Sequence, residues 1–160
     1  MTTPVNSEHI STIREFQSAA PVNVMGLAEK LGLSVWSQSL ENHIQGKICR
    51  DEKYGGTSGY SIIVSDKEDS PKQRFTIAHE IAHYLLHRDK IGDGLTDDAL
   101  YNSGLSTLEE VQANRMAGEI LMPFILIEKA IKEGFKSLED ISSCLGVSRQ
   151  ALANRLQIPD

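Results

Sequence analysis

Two histidines four residues apart in an apolar run, His79-Glu80-Ile81-Ala82-His83, constrain this chain more than any other stretch. On a helix, at about 100° per residue, the two imidazoles stand roughly 40° apart around the axis, so both can close on one metal ion. Glu80 is offset from them, towards the side that a metal leaves for water, where a general base works. Two ligands and a base thus come from about one and a half helical turns, the pattern of zinc hydrolases. The flanks require that helix to be buried. Pro71 stands where a helix can begin, and Phe75, Ile77, Ala78, Ile81, Ala82, Leu85 and Leu86 surround the motif. From Phe75 to Leu86 the only formally charged residue is Glu80, whereas a solvated helix would carry charge around most of its circumference.

A catalytic zinc usually takes three protein ligands and keeps the fourth position for water. After His83 the chain reads YLLHRDKIGD from Tyr84 to Asp93, which lacks the His-x-x-Gly-x-x-His half of the longer histidine motif. A glutamate from a second helix is the remaining common solution. In Glu110-Val111-Gln112-Ala113-Asn114, Glu110 would bind the metal, and Asn114, one turn on, would accept the proton on the far nitrogen of a ligand histidine. Zinc peptidases that use Glu-x-x-x-Asp have a carboxylate in that second position, so Asn leaves the histidine less basic. Glu109 competes with Glu110. Ser106 with Glu109 reads as a capping box, and Thr107 with Glu110 fits the same pattern one step on. Ala113, Asn114, Ala117 and Leu121 follow at helical spacing and favour Glu110, because small residues let this helix approach the first closely. His87, one turn beyond His83, is a further rival; a histidine also suits the negative pole at a helix end.

These blocks together resemble a known family. Arg74-Phe75-Thr76-Ile77-Ala78-His79-Glu80-Ile81-Ala82-His83-Tyr84-Leu85-Leu86-His87, then Glu110-x-x-Ala113-Asn114-Arg115-Met116-Ala117 running into Leu121-Met122-Pro123, are similar to the ImmA/IrrE family of bacterial zincin-like metallopeptidases. Ala82 stands where many members have Gly, and Met116 where many have Phe. The resemblance implies His79, His83 and Glu110 as ligands of Zn2+ and Glu80 as catalytic acid/base. It implies an α+β zincin-like domain over residues 1–128, with helix-turn-helix-like C-terminal helices over 129–160 packed on it as one unit. It also implies a substrate: a helix-turn-helix repressor, often encoded beside the peptidase in mobile elements, whose cleavage relieves repression.

Length and composition set limits on that expectation. With 160 residues and 40% apolar content the chain can build a single core. No stretch approaches the roughly 20 apolar residues of a membrane span, and no basic-then-apolar leader is visible, so a cytoplasmic protein is expected. Cys49 and Cys144 read as reduced packing residues. A formal charge of −6 argues against non-specific binding to nucleic acid or anionic lipid and favours protein partners.

Before the metal helix, Ser7 to Ser18 and Val24 to Leu31 read as helices, the second stopped by Gly32. Ser34 to Leu40, Gly46 to Arg50 and Gly59 to Ser65 read as strands of a small, mostly antiparallel sheet. Gly55, Gly56 and Gly59 belong to a flexible hairpin connection, since no Gly-Lys-Ser/Thr follows as a phosphate loop would require. By resemblance to zincins, Tyr60-Ser61-Ile62-Ile63-Val64 is expected to form the upper rim of the cleft and to hold an extended peptide by backbone pairing. Between Ile91 and Asn114 there is no Lys or Arg, and Asp93, Asp97, Asp98, Glu109 and Glu110 are acidic. A solvated loop accounts for that segment, although its charge would also suit a basic substrate.

Leu138 to Leu156 has the form of a helix, a Gly-containing turn and a recognition-type helix. Arg149 and Arg155 are the only basic residues from Ser137 onward, offset by Glu139, Asp140 and Asp160, which argues for packing or protein contact and against direct DNA binding. Two classes of function follow. One is a zinc-dependent endopeptidase, acting as an anti-repressor; the other is a non-proteolytic regulatory module restrained by a cognate helix-turn-helix partner. A metallopeptidase-like toxin held by such a partner would share the first's active site. Glu80 favours the enzyme, since a purely structural metal has no need of a base. Tyr54, Tyr60, Tyr84, Tyr101, Arg74 and His87 are all chemically able to stabilise an oxyanion.

Overall fold

Side-chain caps set where most helices start. Asn6, Asn23, Asp69, Ser106, Ser137 and Ser148 each accept a hydrogen bond from a first-turn backbone N–H, satisfying donors that the helix itself leaves unpaired. The computed structural model describes residues 5–98 and 104–159. Helices α1 (Ser7–Glu15) and α2 (Val24–Lys30) lead into strands β1 (Leu33–Gln38), β2 (Ile44–Arg50) and β3 (Tyr60–Ser65). Then come α3 (Ser70–Leu86), the short α4 (Arg88–Ile91), β4 (Gly94–Asp98), α5 (Thr107–Leu121), α6 (Phe124–Lys132), α7 (Leu138–Leu145) and α8 (Arg149–Leu156).

The sheet runs in the order β1-β3-β2-β4. β3 pairs parallel with β1 and antiparallel with β2, and β2 pairs antiparallel with β4, so two of the three pairings are antiparallel, as expected. All six residues of β3 are buried. That follows from its place: it has a strand on each side and α3 over the sheet. The same place overturns the expectation that β3 forms a rim for substrate. Its backbone donors and acceptors are already used by two neighbours, so an extended peptide cannot pair with it. The acidic segment also departs from expectation. Part of it, Gly94–Asp98, is a strand on the sheet edge, in which Leu95 and Asp97 point inward while Thr96 is exposed.

α3 lies directly on the sheet, and Gly46 sets how closely. A Cβ at Gly46 would stand 2.5 Å from Thr76 Cγ2 and 3.0 Å from the Ile63 carbonyl oxygen, so only glycine lets the helix settle at this depth. Gly46 is also the register partner of Asp97 on β4. On its other side α3 packs against α5, where Ala113 and Ala117 are fully buried, as the small-residue spacing predicts. Leu145 and Leu152 of the C-terminal helices join the same apolar core as Ile77 and Leu121. Gly146, at φ +69°, makes the turn between α7 and α8, and its carbonyl accepts a 3.0 Å bond from Arg74 Nε on α3. Arg155 is committed inside the fold: its Nε donates to the Met122 carbonyl at 2.9 Å, and its guanidinium stacks 3.9 Å over the Phe124 ring. Cys49 and Cys144 are free. Among the described residues no helix is long and apolar enough to cross a membrane.

Candidate metal centre

Hydrogen bonds on the far side of each imidazole decide what the two histidines of α3 present to the centre. His79 Nδ1 lies 2.9 Å from Asn114 Oδ1, an amide oxygen that can only accept, so Nδ1 carries a proton and the neutral ring keeps its lone pair on Nε2. His83 reaches the same state through a longer chain. His87 Nε2 donates to Gln112 Oε1 at 3.1 Å, which leaves His87 Nδ1 bare to accept from His83 Nδ1, also at 3.1 Å. Burial lowers the pKa of His87 and keeps it neutral for this part. Both Nε2 atoms therefore face one point as lone-pair donors, 3.0 Å apart.

Carboxylates from two further elements close on that point. Glu110 on α5 brings Oε1 to 3.3 Å from His83 Nε2 and Oε2 to 3.5 Å from His79 Nε2. Asp97 on β4 brings Oδ1 to 3.2 Å from His79 Nε2 and 3.8 Å from His83 Nε2. One donor atom from each of His79, His83, Asp97 and Glu110 lies within 4.8 Å of all the others. A tetrahedral ion with ligands at about 2.0–2.1 Å has donor–donor edges of roughly 3.3–3.4 Å, close to the 3.0, 3.3 and 3.5 Å spacings among His79, His83 and Glu110. Two imidazoles and two carboxylates are also donors that zinc accepts.

Glu80 sits beside these groups with no exposed surface. Neither of its carboxyl oxygens, nor Oδ2 of Asp97, has a hydrogen-bond partner among the described residues. Buried carboxyl oxygens left this way are costly unless a cation or a bound water completes them, so the chain's own residues fit a metal ion here. Burial, and then the charge of Asp97, push the Glu80 pKa well above the usual carboxylate range. Burial alone would lower the His79 pKa, but the carboxylates of Asp97 and Glu110 outweigh it and raise it to about 9 in the metal-free protein; His83 is raised for the same reason. Asp97 moves the other way: burial opposes its ionisation, yet its contacts with Glu80, His79 and His83 hold its pKa below the ordinary value.

Of the residues singled out from sequence, His79, Glu80, His83, Glu110 and Asn114 are thus brought together. Glu109 is turned away. It completes the capping box with Ser106, whose backbone N–H donates to Glu109 Oε1 at 3.0 Å, and it pairs with Lys90. His87 does end α3, as its C-cap, but it also orients His83. The other oxyanion candidates are engaged elsewhere: Arg74 on Gly146, Tyr60 with Arg50, Tyr84 under Arg88, and Tyr54 exposed against Trp36. Tyr101 lies outside the described residues. Sequence reasoning missed Asp97 and Gln112. For Asp97 the available signal was its two-residue spacing from Leu95, which marks one face of a strand. Gln112 lies two residues after Glu110, so nothing in helical periodicity linked it to the site.

A histidine-bearing helix on a small mixed sheet, with a glutamate-bearing helix packed beside it, defines a zincin-like, metallopeptidase-like domain. Residues 28–157 match the IrrE N-terminal-like domain of peptidase family M78, and the chain belongs to that family. No curated protein matches the chain. Among solved structures, a transcriptional regulator of Mycobacterium tuberculosis is similar in fold, with a TM-score of 0.61 at 17% sequence identity over 96% of this chain. The chain spans 48% of that protein's length.

Proposed function

We propose that this chain is a zinc-dependent endopeptidase that cleaves a helix-turn-helix transcriptional repressor at one site, and so acts as an anti-repressor. The observation that carries this reading is the convergence of His79 Nε2 and His83 Nε2, 3.0 Å apart, with Glu110 at 3.3 and 3.5 Å from them and the fully buried Glu80 carboxyl beside them. His79, His83 and Glu110 would hold the zinc. When bound, it would act as a Lewis acid that polarises a peptide carbonyl and acidifies a water molecule. Glu80 holds the proton taken from that water and returns it to the leaving amine, a task that suits a carboxyl whose pKa burial has raised. Asn114, and Gln112 through His87, fix the tautomers, so the imidazoles need no rearrangement to serve.

Family membership and charge support this choice of substrate. A chain with net charge −6 suits a protein partner with a flexible, basic linker better than it suits nucleic acid. The test is to incubate the zinc-loaded protein with the repressor encoded next to it and to locate the cut by mass. A single cut, absent with Glu80→Gln, supports the proposal. Tight binding with no cut, under conditions where zinc is retained, would favour a non-proteolytic regulatory module. The complete burial of Glu80 and both histidines is the observation on that side.

A further inference from the structure

Four protein donors converge on the centre, one more than a catalytic zinc usually takes. Three come from the two long helices. The fourth, Asp97, comes from β4, and three observations make it more than a neighbouring charge. Its Oδ1 lies 3.2 Å from His79 Nε2, closer than the 3.5 Å of Glu110 Oε2. The residue is fully buried. Its Oδ1 faces both imidazole Nε2 atoms, while its Oδ2 meets no N–H or O–H donor among the described residues beyond the neighbouring Glu80 carboxyl, which leaves acceptor capacity that a cation would fill.

We infer that Asp97 is a fourth protein ligand of the metal, closing the coordination position that a substrate would need, so that the chain as described is latent. The inference rests on the zinc-site reading above. Its physical basis lies in how differently the donors are held. β4 has five residues and, among those described, pairs along one side only, with β2. The pairing is irregular where it matters: Gly46 faces Asp97 and Ile44 faces Asp98, so Gln45 is an extra residue in β2 at the Asp97 end. A short edge strand with a bulge at its ligand-bearing end can be withdrawn without unpacking α3 from α5. Withdrawal would remove the fourth donor and uncover the buried centre in one motion, and it would leave the backbone edge of β2 for an extended peptide to occupy.

Cobalt(II), whose visible absorption reports the number and exchange of its ligands, is the probe. Wild type, Asp97→Asn, Asp97→Ala and, as a baseline, His79→Ala are each titrated with cobalt and then with acetohydroxamate, a small bidentate metal ligand. Wild type should bind one cobalt, and its spectrum should not respond to acetohydroxamate. Asp97→Asn and Asp97→Ala should bind cobalt about tenfold or more weakly and respond saturably to acetohydroxamate, which enters the freed position. A wild-type spectrum that responds as readily as the variants' would overturn the inference while leaving the zinc site intact. Wild type with no more cobalt binding than His79→Ala would overturn both. Asp97→Asn keeps the shape of the side chain, and circular dichroism verifies its fold.

Discussion

The two sides of the metal centre are built to different standards of rigidity. On one side α3 and α5, of 17 and 15 residues, are capped at their starts, packed through fully buried alanines, and tied at the ligands by Asn114 and by Gln112 through His87. On the other side a five-residue edge strand contributes a single carboxylate. Donors that must define a metal's geometry belong on elements that unfold only with the whole domain, while a donor that must give way belongs on one that can open locally. The difference suggests that helices specify the ion and the sheet edge regulates access to it.

That division can be broken from the helix side first. Glu80→Gln should lower repressor cleavage by about 10²–10⁴-fold, the usual scale for a lost general base, with one zinc per chain retained by elemental analysis. Loss of zinc from a folded Glu80→Gln would remove Glu80 from the role of base. Next in size, Glu110→Ala should weaken zinc binding beyond the roughly 10–100-fold typical of losing an outer partner, while Glu109→Ala should leave affinity unchanged in a competition titration with a chelator. The reverse order would move the third ligand one residue back.

Protons sharpen the comparison further, because metal and proton compete for the same nitrogen. His79 in the metal-free fold has its pKa raised from 6.5 to about 9, so below pH 9 zinc must displace a proton from it. Zinc affinity should therefore climb by at least about tenfold per pH unit from near-neutral pH, since the raised His83 also competes, and flatten as pH passes about 9. For the metal-free fold the sign is opposite. The protonated imidazole contributes stability that is fully present below 6.5 and is lost as pH rises through about 9. A pH-independent affinity across that range would mean that the carboxylates do not hold His79 charged. The smallest effect belongs to the α5 start: Ser106→Ala, which removes the cap and leaves every donor in place, should cost about 1 kcal/mol in denaturant unfolding.

Sequence made the helix side of this molecule legible because helical periodicity concentrates information. His79, Glu80 and His83 share about one and a half turns, and Glu110, Ala113, Asn114 and Ala117 mark a single face. Their partners can thus be paired before any fold is known. Strands and tertiary pairings were less accessible. β1, β2 and β3 were identified to within one or two residues, but their order was not, and that order is what places β3 inside the sheet. β4 went unrecognised because a five-residue strand with glycine and two aspartates carries little β propensity; it exists through pairing with β2 and the burial of Leu95. Gln112 shows another limit, since its link to the centre runs through a second histidine and only coordinates reveal such a relay.

Asn114 acquires a different meaning once Asp97 is counted with the ligands. A divalent ion held by two neutral imidazoles and two ionised carboxylates gives a sum of zero. An aspartate at 114 would make the same hydrogen bond to His79 but would add a negative charge at a half-buried position beside the fully buried imidazole, where an unbalanced ion costs more than in open water. The amide orients the ring without that excess. Electroneutrality thus couples position 114 to position 97: with Asp97 replaced by a neutral residue the centre becomes cationic, and a carboxylate at 114 would become the better fit.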